Sequence, residues 1–401
     1  MSNSPLSKCM GRIQESPTLA ITAKALKLKS EGRDIIGLAA GEPDFDTPDF
    51  IKNAAIAAIE AGFTKYTAAT GTPSLKKAIV AKLDRENNLI YNESEVIVGT
   101  GGKQCIFNLC LAILDHGDEV IIPAPYWVSY TDIAELTGAK SVVISCGIDQ
   151  EFKILPSQLE EAITEQTKLV ILNSPSNPTG SVYTRGELKA LAKVLLKHPN
   201  VFIGTDDIYE KINLNDEPFY NIVMVEPKLK DRTVVLSGVS KAYSMTGWRI
   251  GYAAGPRQII KAMGILQSQS TSNPTSISQV AAEAALNSDQ SCIIPMVEAF
   301  KERHHFVVSA FNDIEGIKCI NAKGAFYSFP YAKEAINKLY SDGKIKKNDD
   351  IAFSEYLLET KGVAVVPGAA FGAPGYFRIS FATSLDNLKI ALKRIKEAIE
   401  D

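Results

Sequence analysis

The stretch that decides the fold and the chemistry of this chain runs from Thr233 to Gly251 and reads Thr-Val-Val-Leu-Ser-Gly-Val-Ser-Lys-Ala-Tyr-Ser-Met-Thr-Gly-Trp-Arg-Ile-Gly. Its first residues, 233–237, form a β-branched apolar run that predicts a strand. Lys241 follows this run closely, between small and hydroxyl-bearing neighbours, and Arg249 stands eight positions further on. This arrangement is typical of a lysine that anchors a cofactor.

A lysine that forms an imine must be neutral at working pH, and both burial and a neighbouring positive charge lower its pKa. Arg249 can supply that charge and can bind phosphate oxygens with its planar guanidinium. The alternative is that Lys241 is solvated in a loop beside a packing turn, because most lysines are exposed. The whole run of residues 237–251 favours the cofactor anchor.

Short β-branched runs alternate with helical patterns, which predicts an α/β fold whose mostly parallel sheet has helices on both faces. The predicted strands of this sheet number seven and lie at residues 95–99, 119–123, 141–145, 168–173, 201–206, 233–237 and 249–254. In such sheets the ligand crevice lies beyond the carboxyl ends of the strands. Residues able to do chemistry follow predicted strands closely: Gly101, Gly102, Lys103, Tyr126, Trp127, Asn177, Asp206 and Lys241. The pattern therefore predicts one shared site.

The length of 401 residues exceeds the size at which single hydrophobic cores stop growing, so two domains are expected. Past residue 290 a charged helix at 296–312 precedes short strands at 317–320, 325–329, 363–366 and 376–381, which predicts a smaller α+β domain. We predict an N-terminal arm at 1–15, a small domain from 16–47 and 293–401, and a large cofactor-binding domain at 48–292. The charged insert at 338–350 predicts an exposed loop.

Bulk properties exclude several classes of protein. The net charge of −3, with acidic and basic residues interspersed, gives no basic surface for nucleic acid and no polybasic patch for a membrane. The polar N-terminus and the lack of a long apolar run predict a cytoplasmic protein. The six scattered cysteines are expected to be reduced core thiols. The histidines lack metal-ligand spacing, so no metal site is expected, and His304 and His305 are predicted to be solvated.

Other motifs leave two interpretations each. The run Gly99-Thr-Gly-Gly-Lys-Gln104 suits a phosphate at a helix N-terminus or is a tight turn, and its glycine pattern fits neither NAD nor ATP binding. Trp127 offers a ring that can stack on a cofactor, or it is a core residue. Arg378 lies in an apolar strand and needs an anionic partner, which is either a protein carboxylate or a ligand. Asp207 is expected to be a helix-capping or surface acid.

These motifs, with Gly41-Glu-Pro-Asp-Phe-Asp46 and Lys65-Tyr66-Thr, resemble class I (fold-type I) pyridoxal-phosphate aminotransferases of the bacterial aspartate aminotransferase subgroup. The resemblance covers nearly the whole chain. It implies pyridoxal 5'-phosphate joined to Lys241, and a homodimer in which Tyr66 reaches the phosphate in the partner's site. The implied cofactor contacts are Gly101, Gly102, Lys103, Trp127, Asn177, Asp206, Tyr209, Ser240, Lys241, Arg249 and Tyr66.

The resemblance also assigns roles to individual residues. Asp206 would keep the ring nitrogen protonated, Tyr209 would contact the ring hydroxyl, and Lys241 would be the base, which makes these three the catalytic residues. Asn177 would donate to the phenolic oxygen, and the Asn177–Pro178 peptide is expected to be cis. The implied substrate contacts are Gly41, Trp127, Asn177, Arg378 and Lys103, with Arg378 on the α-carboxylate and Lys103 on a distal carboxylate, helped by the segment Ser16-Pro-Thr18. Arg12 is a further candidate cation.

The function implied is ping-pong transfer of an amino group between L-aspartate and 2-oxoglutarate. Some relatives also use prephenate and commonly have Lys-Pro-Ser where this chain has Gln14-Glu15-Ser16, which argues against that activity here. A specificity for prephenate or aromatic substrates, or another fold-type I lyase or synthase, remains an alternative. A cofactor-sensing regulator would carry a basic DNA-binding module, and the sequence has none.

Overall fold

The computed structural model describes residues 5–13, 15 and 17–401 of the chain. Gln14 and Ser16 lie outside the described residues. Both belong to the segment Gln14-Glu15-Ser16, on which the expectation about prephenate depends.

The strands are short, and most of them fall on the apolar runs of the sequence. They are β1 (Ile36–Gly37), β2 (Val96–Gly99), β3 (Glu119–Ala124), β4 (Lys140–Ser145), β5 (Thr167–Asn173), β6 (Phe202–Asp206), β7 (Thr233–Gly238), β8 (Gly251–Ala254), β9 (Tyr327–Ser328), β10 (Val363–Ala364), β11 (Val366–Pro367) and β12 (Phe377–Ser380).

The helices lie before, between and after these strands. They are α1 (Pro17–Ser30), α2 (Asp49–Glu60), α3 (Pro73–Asn87), α4 (Gly102–Ile113), α5 (Ser129–Leu136), α6 (Pro156–Ala162), α7 (Arg185–Lys197), α8 (Ile222–Val225), α9 (Arg257–Ser270), α10 (Ser276–Asn287), α11 (Ile294–Asn312), α12 (Lys333–Ser341), α13 (Asp350–Lys361) and α14 (Leu385–Glu400). Several begin at side-chain caps that the sequence supplies, such as Thr72 before α3 and Thr184 before α7.

A seven-stranded sheet forms the centre of the molecule, in the order β2-β8-β7-β6-β5-β3-β4. Neighbouring strands from β7 to β4 are parallel, whereas β8 is antiparallel to both β7 and β2. The predicted α/β fold with a seven-stranded, mostly parallel sheet flanked by helices is confirmed. Strand β8, predicted to begin at Arg249, begins at Gly251 instead, because Arg249 has a left-handed φ of 58° and belongs to the preceding turn.

Both faces of this sheet are buried, as its near-continuous apolar strands require. Side chains alternate across β3: Val120 and Ile122 pack into one core with α4 and α9, and Ile121 packs into the other with α3, α7 and α10. The helices on the two faces therefore hold the carboxyl ends of β3, β5, β6 and β7 at one edge of the sheet.

The C-terminal part contains two smaller sheets. Strands β11, β12 and β9 form an antiparallel sheet, and β1 pairs in parallel with β10 through Ile36 opposite Val363. The segment before α2 is thereby hydrogen-bonded to the C-terminal part. The exact division into an arm, a small domain and a large domain stays a prediction.

Some local predictions were wrong. Residues 317–320 form only an isolated bridge, because, in the part of the chain that the structure describes, just two backbone hydrogen bonds, both between Lys318 and Tyr331, pair this segment with another. His304 is buried rather than solvated, since its ring stacks on Phe381 at 5.3 Å. The insert at 338–350 is not wholly an exposed loop: it includes the end of α12 and the first residue of α13, and Ile345 is buried.

All six cysteines lie among the described residues and are free thiols that form no disulfide bond. Four of them are buried and two, Cys9 and Cys292, are partly exposed; the buried ones are Cys105, Cys110, Cys146 and Cys319. In the described part of the chain, no helix is both long and apolar enough to cross a bilayer. A cytoplasmic location stays a prediction. No group of three or more potential ligands among residues 5–13, 15 and 17–401 could hold a metal ion.

Candidate active site

An open cavity with an empty volume of about 1050 Å³ lies beyond the carboxyl ends of the central strands. Residues from both the central sheet and the C-terminal part line it. The predicted site residues along its wall are Gly41, Gly102, Lys103, Trp127, Asn177, Asp206, Tyr209, Ser240, Lys241, Arg249 and Arg378. The sequence prediction of one shared site at this edge agrees with this placement.

Lys241 is partly buried in the loop after β7. Its Nζ donates a hydrogen bond of 2.5 Å to the carbonyl oxygen of Gly41. The pKa of Lys241 is lowered to about 8, chiefly by burial and also by the positive charges of Arg378 and Arg249, against the opposing effects of Glu42 and Asp206. The neutral, nucleophilic form of this amine is therefore far more populated near neutral pH than it is for an ordinary lysine.

Gly101 and Arg249 meet closely at the N-terminus of α4. Gly101 has a φ of 83°, and a Cβ atom there would lie 2.1 Å from Nη2 of Arg249. The guanidinium is held by Thr246 and Thr100, whose carbonyl oxygens accept hydrogen bonds of 2.9 and 3.3 Å. A helix N-terminus beside an arginine suits a phosphate group, and Ser240 lines the same cavity.

Asp206 ends β6 and is buried. Its Oδ2 accepts a hydrogen bond of 2.6 Å from the hydroxyl of Tyr130, and its Oδ1 accepts one of 3.2 Å from the backbone N–H of Ile208. Burial raises the pKa of Asp206 to about 6, although these hydrogen bonds and Lys241 act in the opposite direction. A buried carboxylate with this environment is suited to pair with a cationic group in the cavity.

Asp207 is not the capping or surface acid that the sequence suggested. It is 1 % exposed, and its two oxygens accept hydrogen bonds from Thr205 Oγ1 at 2.6 Å and Asn221 Nδ2 at 2.7 Å. The side chain points into the core because successive side chains at the end of a strand point in opposite directions. Burial raises the pKa of Asp207 well above its usual value.

Tyr209 and Tyr327 lie with their hydroxyl oxygens 2.8 Å apart. Both are buried, and Tyr327 comes from β9 of the C-terminal part. A Cβ atom on Gly41 would lie 2.8 Å from the Tyr327 hydroxyl, so the backbone of Gly41 approaches the site only because it lacks a side chain. These contacts join the central sheet, the segment before α2 and β9 around one cavity.

Arg378 lies on β12 and is buried. Its Nη1 donates to Asn177 Oδ1 at 2.8 Å and its Nη2 to the carbonyl oxygen of Ala39 at 2.6 Å, while its Nε has no hydrogen-bond partner among the described residues. The rings of Tyr327 and Phe371 lie 4.6 and 5.0 Å from the guanidinium. Neutral oxygens do not neutralise this cation, which leaves it able to bind an anionic ligand.

The turn after β5 contains the predicted cis peptide between Asn177 and Pro178, which is confirmed. Two further cis peptides precede Pro125 and Pro175 and were not predicted. The turn is held because Asn173 Oδ1 accepts a hydrogen bond of 2.9 Å from the backbone N–H of Asn177.

Lys103 is another cation in the cavity wall, and it lies beside Trp127. The Lys103 Nζ lies 5.0 Å from the centre of the Trp127 ring. Burial and the charge of Arg249 lower the pKa of Lys103. Trp127 thus lies at the cavity wall rather than in a closed core.

Tyr66 and Arg12 are not part of this cavity wall as described. Tyr66 is 91 % exposed on its own chain. Arg12 is exposed and its Nη1 lies 3.5 Å from the carbonyl oxygen of Leu136. The structure of one chain therefore places neither residue in the site of that chain.

Tyr130 and Tyr327 are among the wall residues that the sequence prediction missed. Tyr130 stands three positions after Trp127, a spacing that puts two residues of a helical turn on one face. Tyr327 lies inside the predicted strand at 325–329, where alternation could have assigned it to the same sheet face as Arg378 only if the pairing of the strands had been known.

This fold and this site define an enzyme that uses pyridoxal phosphate. The family described as "Aminotransferase class I and II" matches residues 33–395, and the chain belongs to that family. An aspartate/prephenate aminotransferase of Nitrosomonas europaea is 59% identical over 390 residues, covering 97% of this chain and 98% of that protein. A second aspartate/prephenate aminotransferase, from Cereibacter sphaeroides, is 54% identical over 391 residues and covers 98% of each chain.

Solved structures agree with these sequence relatives. The aspartate aminotransferase of Rhizobium meliloti superimposes with a TM-score of 0.95 at 49% identity and covers 99% of each chain. The Thermus thermophilus aspartate aminotransferase with maleate gives a TM-score of 0.92 at 39% identity, over 98% of this chain and 100% of that one. The chain is an aminotransferase, and its cofactor is pyridoxal phosphate.

The residues present fit this cofactor. Lys241 has a lowered pKa, which an imine-forming amine needs. The cradle at Gly101 is one that a Cβ would fill, and Arg249 adjoins it. A buried carboxylate at Asp206 and a tryptophan ring at Trp127 line the same cavity, which is the donor set that a phosphorylated pyridine ring requires.

Proposed function

We propose that this aminotransferase moves the amino group between L-aspartate and 2-oxoglutarate, giving oxaloacetate and L-glutamate in a ping-pong reaction. The observation that carries the proposal is that two cations, Lys103 and Arg378, line the cavity of Lys241. A dicarboxylic substrate has two anionic groups, and each would meet one cation.

Arg378 would bind the α-carboxylate shared by both substrates. Its Nε is buried and unpartnered among the described residues, and its Nη1 and Nη2 contact only neutral oxygens. A carboxylate would therefore gain a charge-assisted pair in place of weaker contacts. The backbone near Gly41 and the amide of Asn177 would border the same group.

Lys103 would bind the distal carboxylate. Its position against the Trp127 ring keeps the ammonium at the cavity wall, and the backbone segment around Thr18 lies along the same cavity. A monocarboxylic amino acid would leave this cation without a partner, which disfavours such substrates.

Pyridoxal phosphate, when bound, supplies an aldehyde that condenses with amines and a ring that accepts electrons from the substrate Cα. Gly101, Gly102, Ser240 and Arg249 would hold its phosphate, and Trp127 would stack on its ring. Asp206 would face the ring nitrogen and keep it protonated, while Tyr209 and Asn177 would hydrogen-bond to the ring hydroxyl.

Lys241 would act as the base of the reaction. With its amine free, Nζ would take the proton from the substrate Cα and hold it for return in the same reaction. The lowered pKa of this amine matches such a role, because a base works best with a pKa near the operating pH.

The functional unit would be a homodimer in which Tyr66 of one subunit reaches the phosphate of the other. Tyr66 is 91 % exposed, and near it in sequence Ile56, Ile59 and Phe63 are 51 %, 51 % and 40 % exposed. Exposed apolar side chains of this kind, along α2 and the turn after it, are typical of a covered interface. The division of each subunit into residues 1–15, 16–47 with 293–401, and 48–292 is part of the same proposal.

Prephenate is the second candidate amino acceptor. The relatives from Nitrosomonas europaea and Cereibacter sphaeroides, at 59% and 54% identity, are both named for aspartate and prephenate. The sequence Gln14-Glu15-Ser16, in place of Lys-Pro-Ser, argues against prephenate as a substrate. The high identity to two proteins named aspartate/prephenate aminotransferase weakens that argument.

Steady-state kinetics of the purified protein would test the substrate pair. Aspartate as donor would be combined in turn with 2-oxoglutarate, prephenate and an aromatic 2-oxo acid. We expect the highest kcat/KM with 2-oxoglutarate. A higher kcat/KM with prephenate or with the aromatic 2-oxo acid would overturn the proposed main pair, and formation of any product other than an amino acid and a 2-oxo acid would indicate a lyase or synthase.

A further inference from the structure

Tyr130 lines the cavity, and its hydroxyl binds the carboxylate of Asp206, another residue of the cavity wall. Its OH donates to Asp206 Oδ2 at 2.6 Å, and both side chains are buried, at 2 % and 6 % exposure. Burial and the adjacent carboxylate raise the pKa of Tyr130 well above its usual value, so the phenol keeps its proton and is the donor. A charge-assisted hydrogen bond of this length is among the strong ones in proteins.

Tyr130 is itself rigidly placed. Its backbone N–H donates to the carbonyl oxygen of Trp127 at 3.0 Å, and the two rings stand perpendicular with their centres 5.4 Å apart. The side chain therefore touches the residue proposed to stack on the cofactor ring and the residue proposed to face the ring nitrogen. Rotation of the phenol would disturb both contacts, so packing fixes the direction of its hydroxyl.

The Asp206 carboxylate is held at each oxygen. Tyr130 binds Oδ2 and the N–H of Ile208 binds Oδ1, which fixes the plane of the carboxylate. Four other titratable groups interact electrostatically with the Asp206 carboxylate, namely Lys241, Asp207, Tyr209 and Cys105. Of these, Lys241 favours the ionised carboxylate by its charge, whereas the charge of Asp206 raises the pKa of Asp207. The phenol is the side-chain donor that binds the carboxylate directly.

We propose that Tyr130 is a positioning residue that keeps Asp206 ionised and oriented, so that the shared proton stays on the ring nitrogen of the cofactor. This inference rests on the proposed role of Asp206. Without the phenol, the buried carboxylate loses a donor that favours its charged form. The proton would then shift from the ring nitrogen towards Asp206, and the ring would accept electrons less readily.

The test uses the holoenzyme loaded with pyridoxal phosphate that carries ¹⁵N in the ring. The ¹⁵N chemical shift distinguishes a protonated from a neutral ring nitrogen and is recorded as a function of pH. The variant is Tyr130→Phe, and the matched control is Tyr183→Phe, which removes another buried phenol whose oxygen accepts a hydrogen bond of 3.0 Å from Ile154.

We expect the wild-type protein and Tyr183→Phe to lose the protonated signal at the same pH, and Tyr130→Phe to lose it at a lower pH. An unchanged midpoint in Tyr130→Phe would overturn the role of Tyr130 while leaving that of Asp206 intact. A neutral ring nitrogen in the wild-type protein at all pH values would instead overturn the role of Asp206 on which the inference depends.

A second variant separates the hydrogen bond from packing and protects the test against poor folding of Tyr130→Phe. Site-specific difluorotyrosine at position 130 keeps the ring and the hydroxyl and makes the hydroxyl a stronger donor. We expect its midpoint to lie above that of the wild-type protein. A midpoint at or below that of the wild-type protein would show that donor strength at this contact does not set the protonation of the ring nitrogen and would overturn the proposal.

Discussion

Nη1 of Arg378 donates a hydrogen bond of 2.8 Å to Oδ1 of Asn177, two residues that are 201 positions apart in the chain. The bond joins β12 in the C-terminal part to the turn after β5 in the central sheet. A substrate carboxylate that binds Arg378 would compete directly with this contact. If Arg378 binds the substrate as proposed, substrate binding would therefore affect the contact between these two parts of the molecule.

Replacing Arg378 with lysine should impair both half-reactions. Lysine keeps the charge but not the planar pair of donors, so the α-carboxylate of each substrate would lose its two-point contact. We expect kcat/KM for aspartate and for 2-oxoglutarate to fall by about a hundredfold, equivalent to about 2.7 kcal/mol. Single-turnover kinetics with each substrate would measure this.

Arg232→Lys provides the control for Arg378→Lys. Arg232 binds the carbonyl oxygens of Leu195, His198 and Val201 and does not line the cavity as described. Its replacement should lower stability without changing kcat/KM. Equal kinetic losses in both variants would show that Arg378 acts through the fold and not through the substrate.

Replacing Lys103 with methionine should change specificity more than overall activity. Methionine keeps the apolar stem against Trp127 but removes the charge proposed for the distal carboxylate. We expect the ratio of kcat/KM for aspartate to that for phenylalanine to fall by about ten- to a hundredfold. The exposed Lys140, whose side chain is 72% exposed, gives the control Lys140→Met. A ratio unchanged in Lys103→Met would exclude this lysine as the determinant.

His304 should make stability depend on pH. Burial lowers its folded-state pKa to about 4 from the usual 6.5. Between these values the unfolded chain binds a proton that the folded protein does not, so the free energy of unfolding falls as pH drops from about 6.5 to 4, by up to about 3 kcal/mol. Chemical denaturation of the wild-type protein and of His304→Phe, compared across this range, would isolate the effect.

The variant His304→Phe should show a flatter dependence of stability on pH than the wild-type protein. His305→Gln changes the exposed neighbour on the same helix and should leave the wild-type slope in place. If His304→Phe retained the full slope between pH 6.5 and 4, other groups would have to account for the acid sensitivity.

Hybrid dimers should reveal whether Tyr66 serves the partner's site. Tyr66→Ala homodimers are expected to bind pyridoxal phosphate weakly, and Lys241→Ala homodimers are expected to be inactive. In a hybrid of the two, one site would combine Lys241 from one subunit with Tyr66 from the other and would regain activity. Mixing the purified variants and measuring activity at limiting cofactor would test this, and a failure to recover activity in isolated hybrids would place Tyr66 outside the site.

The sequence predicted the central sheet and most of the cavity wall because both depend on local patterns. Apolar runs mark the strands, and residues at or just beyond their carboxyl ends, such as Asp206 and Lys241, are brought together by the parallel arrangement. Tyr327 and the partners of Arg378 could not be predicted in this way, since they depend on pairing between distant segments. The burial of Asp207 and His304 was also missed, because a polar side chain in a core is recognisable only from the partners that satisfy it.

The most direct test of the central claim is to identify the residue that binds the cofactor. The holoenzyme would be reduced with borohydride, digested and analysed by mass spectrometry, with protein stripped of cofactor as the control. We predict that the mass of the reduced pyridoxal phosphate adduct is found on the peptide that contains Lys241, and that prior addition of aspartate prevents its appearance. An adduct on another lysine, or none on a protein saturated with pyridoxal phosphate, would contradict the account.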